Sequence, residues 1–127
     1  MENVDREAAV QSLTDTLAKF TAYIGKRLPK DVKAKTAKLR AAETNPLAIA
    51  VYDSMAENQD YADKLNRPSC QDTGVIQYFI SAGARFPLLG EMEGILENAT
   101  KEATIQGPLR HNAVETFVEK NTGTNTG

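Results

Sequence analysis

The run Pro68-Ser69-Cys70-Gln71-Asp72-Thr73-Gly74-Val75-Ile76-Gln77-Tyr78-Phe79-Ile80 decides how this chain is read. Its second half is rich in β-branched and aromatic residues, which predicts a strand over about 75–82, broken by Gly83 and Pro87. Its first half is a polar loop carrying the only cysteine of the 127 residues. A thiol among Pro, Ser, Gln, Asp, Thr and Gly lacks an apolar packing shell. Backbone and side-chain donors in such a loop can gather around a ligand.

The flanking sequence reads as helix. Val10, Leu13, Leu17, Phe20 and Ile24 recur at steps of three and four, the spacing of one helical stripe, and Gly25 and Pro29 end the segment. A second helix is expected with Asp31 as N-cap. Its apolar face is thin (Val32, Leu39, Ala42), and the lysines and arginines from Lys30 to Arg40 make it a solvated helix with little to bury. Asn45-Pro46 supplies an N-cap and a proline at the first helical position. The helix that follows is expected to bury Leu47, Val51, Met55, Ala62 and Leu65 before Pro68. Past the strand, Leu88, Met92, Ile95, Leu96, Ala99 and Ala103 mark a further helix, stopped by Gly107-Pro108. Leu109-Arg110-His111-Asn112 is then a loop. The tail, Asn121 to Gly127, repeats Asn-Thr-Gly and reads as turn chemistry without core residues.

The fold class expected is therefore α+β and mostly helical, with four or five helices and one or two short strands. A lone strand leaves its backbone groups unpaired, so either a second strand lies within this chain or its partners lie on chain outside this sequence.

Composition sets the broad class. Apolar residues make up 41%, charged residues 25%, and the net charge is −2, as in a soluble globular domain. That charge balance gives no case for nucleic acid or an acidic membrane surface. No apolar stretch nears the roughly 18 residues of a membrane span. The acidic start, Met1-Glu2-Asn3-Val4-Asp5, is unlike a signal peptide. A single cysteine excludes an internal disulfide and points to a reducing, cytoplasmic setting.

Each candidate reactive residue has a bland reading beside its functional one. Cys70 is either an inert thiol or part of a reactive site. A metal centre needs several ligands and the chain has no second cysteine, while pairing with His111, the only histidine, is left open by spacing. Asp72 can hold an Asx turn over Asp-Thr-Gly, orient water or donate a proton, and these roles can coexist. Arg110 is either a solvated arginine or a planar fork for a carboxylate.

Four blocks, taken together, resemble a known group. They are Asn66-Arg67-Pro68-Ser69-Cys70-Gln71-Asp72-Thr73-Gly74, Gly83-Ala84-Arg85-Phe86-Pro87, Pro108-Leu109-Arg110-His111-Asn112-Ala113-Val114, and the Asn-Thr-Gly repeat. In this order they resemble the N-terminal part of the class I fumarases, and within them the alpha subunits of the two-subunit L(+)-tartrate dehydratases. The resemblance implies an iron–sulfur hydro-lyase that adds or removes water next to carboxylates, acting on fumarate and malate or on L-tartrate and oxaloacetate. It implies a [4Fe–4S] cluster held by three cysteines, the fourth iron acting as a Lewis acid. Carried over by residue, Cys70 matches a cluster ligand. Gln71 and Asp72 match substrate contacts, with Asp72 the candidate proton donor or water-orienting group. Arg110 matches the carboxylate-binding arginine, and His111 and Asn112 a supporting pair.

The family's chains continue past this point, and their remaining cysteines and catalytic base lie there. Residues 1–127 are thus expected to be an N-terminal fragment, inactive alone, completed by a beta subunit or C-terminal domain in an oligomer. The alternatives are a non-catalytic assembly module that keeps the fold, or a small thiol enzyme using Cys70 and His111. Intact Cys-Gln-Asp-Thr-Gly and Leu-Arg-His-Asn blocks favour the hydro-lyase, because assembly alone needs neither.

Overall fold

A computed structural model describes residues 3–70, 72 and 74–126. Four α-helices follow one another: α1 (Asn3–Ile24), α2 (Lys30–Ala42), α3 (Pro46–Leu65) and α4 (Met92–Gln106), the last entered through a 3-10 turn over Leu89–Glu91. No strand forms among the described residues, so their fold is all-α and the expected α+β class is corrected. Segment 75–82 has no ladder partner among them. Their only β pairing is an isolated antiparallel bridge between Val114 and Asn121. A strand signal specifies alternation along the chain. A ladder also requires a neighbouring edge, and no described segment offers one here.

The alternation itself survives. Ile76 and Tyr78 are half-buried, while Val75, Gln77 and Phe79 are exposed, Phe79 at 93%. Tyr78 is the anchor: its hydroxyl lies 3.0 Å from Thr21 Oγ1 and 3.2 Å from Thr100 Oγ1. It therefore bridges α1 and α4.

These two helices form the core. Arg6 Nε donates to Glu91 Oε1 at 2.7 Å at their starts, and Leu109 sits against Gly25 and Gly107 at their ends. They run side by side in the same direction. The contact is made of small and medium residues: Thr14, Ala18, Thr21 and Ala22 on α1, and Ile95, Ala99, Thr100, Ala103 and Thr104 on α4. Thr21 meets Tyr78, and the other three buried threonines are satisfied within their own helices. Thr14 donates to Val10 O at 2.9 Å, Thr100 to Leu96 O at 2.8 Å and Thr104 to Thr100 O at 2.8 Å. The expected α1 stripe is rotated by one row. Phe20 and Ile24 are exposed, because the smaller residues beside them allow the closer helix approach.

The α2–α3 hairpin packs differently. Asn45 caps α3 as its sequence predicts, its Oδ1 accepting from Leu47 N–H at 2.9 Å, with Pro46 in the first turn. α2 begins at Lys30 with Pro29 rather than Asp31 at the N-cap, and buries no residue. The expected α3 core is also corrected. Only Gln59 and Ala62 are buried, while Leu47, Val51, Met55 and Leu65 are exposed. Helical spacing aligns these residues on one face, but no described element covers that face. Contacts with the end of α1 hold α3 in place. Gln59 Nε2 donates to Lys26 O at 3.1 Å, and Arg27 pairs with Asp63 at 3.1 Å.

Candidate functional site

The site is assembled where two helix exits meet. α3 ends on Asn66, whose left-handed backbone (φ 53°) turns the chain into Arg67-Pro68-Ser69-Cys70. Asn58 on α3 steadies this turn by donating from Nδ2 to Ser69 O. α4 ends at Gly107, where Gly107 N–H donates to Ala103 O at 2.8 Å and Leu109 N–H to Thr104 O at 3.0 Å. Leu109 is buried. A Cβ on Gly25 would stand 2.8 Å from Leu109 Cδ2, and one on Gly107 would stand 3.1 Å from it. Both glycines suit this close approach, since a side chain at either would press on Leu109, and the seated Leu109 fixes where Arg110 leaves the core.

Asn58, Arg67, Pro68, Ser69, Cys70, Pro108 and Arg110 line one open cleft of about 520 Å³. The sequence-predicted ligand Cys70 and the sequence-predicted fork Arg110 therefore share a cavity, although 40 residues separate them. Both are exposed, and the thiol is free. Arg67 adds a second guanidinium to the lining. Its sequence marks it as part of a motif and gives it no role.

Asp72 is exposed and makes the expected Asx turn, its Oδ1 accepting from Gly74 N–H at 3.2 Å. Gly74 has φ 72°, a left-handed conformation that suits glycine. The carbonyl of Gly74 accepts from Asn112 Nδ2 at 2.9 Å. This bond ties Gly74 to the Arg110 loop. Gln71 lies outside the described residues. His111 is exposed and does not line the cleft. Its carbonyl accepts from Asn121 Nδ2, and its ring lies close to Gly123, whose added Cβ would stand 3.8 Å from Nδ1. The geometry does not bring Cys70 and His111 together into a thiol–imidazole pair.

The tail is the part that sequence reasoning misses. Asn125 closes it over the Arg110 loop, donating from Nδ2 to Arg110 O at 2.9 Å and accepting at Oδ1 from Asn112 N–H at 2.7 Å. The signal is present in the Asn-Thr-Gly repeat, since asparagine both tolerates left-handed backbone and offers a donor and an acceptor. What the repeat reaches is not legible from it.

Among the described residues, no three His, Cys, Asp or Glu side chains come together as a metal-binding group. One exposed thiol at the edge of an open cleft fits a single ligand position of a larger centre and no more. The described helices include none long and apolar enough to cross a membrane.

The fumarate hydratase family model matches residues 14–127. The chain belongs to the fumarate hydratase family. Within it, the chain is 51% identical over its full length to an L(+)-tartrate dehydratase subunit alpha of Escherichia coli O157:H7. It is 50% identical over its full length to the proteins of the same name in Escherichia coli K12 and Shigella boydii serotype 4. In each case it spans 42% of the relative's length. The family resemblance carried by the four sequence blocks is thereby established.

Proposed function

We propose that this chain is the N-terminal part, residues 1–127, of an iron–sulfur hydro-lyase that reversibly dehydrates a hydroxy-dicarboxylate, with fumarate/malate and L-tartrate/oxaloacetate as the candidate pairs. The observation that carries the reading is the shared cleft of Cys70 and Arg110, joined to the Asp72 loop through Gly74 and Asn112. In it, Arg110 presents a planar fork to one substrate carboxylate and holds the reacting carbons in register. Asp72 has Oδ1 engaged by Gly74, which leaves Oδ2 to orient a water or pass a proton beside the substrate. Gln71, by its match to the family motif, is a further candidate substrate contact. Cys70 supplies one thiolate to a [4Fe–4S] cluster whose other ligands come from outside this chain. When bound, that cluster supplies Lewis-acid polarisation of the departing hydroxyl.

The relatives are alpha subunits by name. A beta subunit or C-terminal domain accordingly completes the site and covers the exposed apolar residues Leu47, Val51, Val75 and Phe79. A free exposed thiol suits the cytoplasm.

The test uses the complete protein, assembled with its partner under anaerobic conditions. Cys70→Ser is expected to lose the cluster's visible absorption and all dicarboxylate turnover. Arg110→Ala is expected to keep the absorption and lose about 100-fold in kcat/KM, which corresponds to about 2.7 kcal/mol. A normal cluster spectrum in Cys70→Ser would remove the ligand assignment. Near wild-type efficiency in Arg110→Ala would remove the fork.

A further inference from the structure

We infer that Asn125 is a positioning residue for Arg110, a clamp that sets the guanidinium's take-off point in the cleft. The inference deepens the hydro-lyase reading and rests on it for what Arg110 binds. The side chain of Asn125 is fully used. Nδ2 donates to Arg110 O at 2.9 Å and to Thr104 Oγ1 at 3.1 Å, and Oδ1 accepts from Asn112 N–H at 2.7 Å and Ala113 N–H at 3.4 Å. Its amide orientation is fixed by chemistry, since a carbonyl can only accept and a backbone N–H can only donate. One end of this clamp is therefore the backbone on both sides of His111. The other end is Thr104, which is buried in α4 and itself donates to Thr100 O at 2.8 Å.

Arg110 is thus held from two directions. Leu109, the residue before it, is plugged between Gly25 and Gly107 in the core. Its own carbonyl, and the amide two residues on, are held by Asn125. With both flanks fixed, the Cα–Cβ vector of Arg110 is set by the α1–α4 core, although its side chain is exposed. A guanidinium on a pre-set stem loses less freedom when it binds a carboxylate. The same clamp reaches the Cys70 side, because Asn112, whose N–H it holds, donates to Gly74 O at 2.9 Å.

The backbone of Asn125 permits a clean test. Its φ is 57°, in the left-handed region that glycine adopts freely, so Asn125→Gly removes the clamp without adding strain. In the complete protein, Asn125→Gly is expected to raise KM for the dicarboxylate about tenfold with a smaller change in kcat. It should also speed amide exchange at Asn112 and Ala113 and leave the cluster absorption unchanged. Thr104→Val, which removes the buried anchor of the clamp together with the hydroxyl's own bonds to Thr100 O and Thr124 O, is expected to give the same pattern at about two- to threefold. It serves as the second variant should Asn125→Gly not fold. Faster exchange with an unchanged KM would overturn the positioning role. Unchanged exchange at Asn112 and Ala113 would overturn the clamp itself. Should the wild-type protein turn over no dicarboxylate, the hydro-lyase reading falls alone. The exchange measurement still decides the clamp.

Discussion

The α1–α4 pair and the α2–α3 hairpin contain similar helices and differ in what covers them. α1 and α4 meet through Ala18, Ala22, Ala99 and Ala103, all buried, with threonines satisfied in place and Leu109 seated at their ends. α3 is 20 residues long, well capped and spaced for burial, yet Leu47 is 75% exposed and α2 buries nothing. Local sequence thus fixes that a helix forms, and tertiary neighbours fix which of its faces becomes a core. The functional consequence follows the same division. The cleft lies between the two: Pro108 and Arg110 come from the exit of α4, which is packed on α1, and Asn58 and Arg67 to Cys70 come from α3 and its exit.

The sharpest way to break this comparison is to enlarge an alanine in each region. Ala103→Leu places a large side chain where exposure is 0%, and should destabilise the protein by about 1–3 kcal/mol, with Gly107 and the Arg110 loop loosened in consequence. Ala56→Leu on an exposed position of α3 should change stability by less than about 0.5 kcal/mol. Urea unfolding of both variants checks the pair, and equal losses would erase the distinction between the regions.

A smaller effect is expected at the bridge that joins segment 75–82 to the core. Tyr78→Phe keeps the ring and removes the hydroxyl lying between Thr21 and Thr100. The expected loss is about 0.5–1.5 kcal/mol, accompanied by faster limited proteolysis across residues 75–82. If the segment stayed equally protected, its anchoring would have to come from elsewhere.

The smallest effect concerns pH in the hairpin. Arg40 pairs with Asp53 through Nε–Oδ1 at 2.7 Å and Nη2–Oδ2 at 3.0 Å, and this hydrogen-bonded ion pair lowers the Asp53 pKa from its ordinary value. Glu43 is lowered likewise, by the N–H groups of Asn45 and then Thr44 donating to its carboxylate. A carboxylate whose folded pKa is depressed stabilises the fold above its unfolded pKa, and that contribution is lost as pH falls through the folded value. Below about pH 4 the α2–α3 junction should therefore lose amide protection measured against the intrinsic exchange rate at the same pH, while α4 remains protected. Because Asp53 is exposed and Glu43 no more than half-buried, the change should be slight and should shrink in high salt. A junction whose protection relative to the intrinsic rate stayed constant between about pH 7 and 3 would show that these bonds do not hold it.

Much of the candidate site is legible in the order of the residues. Cys70, Asp72 and Arg110 stand out because their residue types and turn context are chemically specific. The fold then brings Cys70 and Arg110 to one cleft, while Asp72 makes its Asx turn. Arg67 and Asn125 escape such a reading because their significance is a matter of reach. Nothing local to Asn-Thr-Gly says that its second asparagine will bond to a loop 15 residues earlier and to a threonine on α4. The strand expected over 75–82 fails for a related reason: alternation is a property of one segment, whereas a ladder is a property of two.

By itself the sequence determined the helices, their caps and stops at Asn45, Pro46 and Gly107, the Asx turn at Asp72 and the family. Each of these depends on interactions within a few residues or on a pattern preserved along the chain. Only the tertiary structure decided that Thr14, Ala18 and Thr21, and not the larger residues beside them, face α4. It alone decided that α3's apolar stripe lies open, and that Leu109 and Asn125 together set the position of Arg110. Those outcomes depend on which surfaces meet, and close packing selects shape and hydrogen-bond complementarity over hydrophobicity alone.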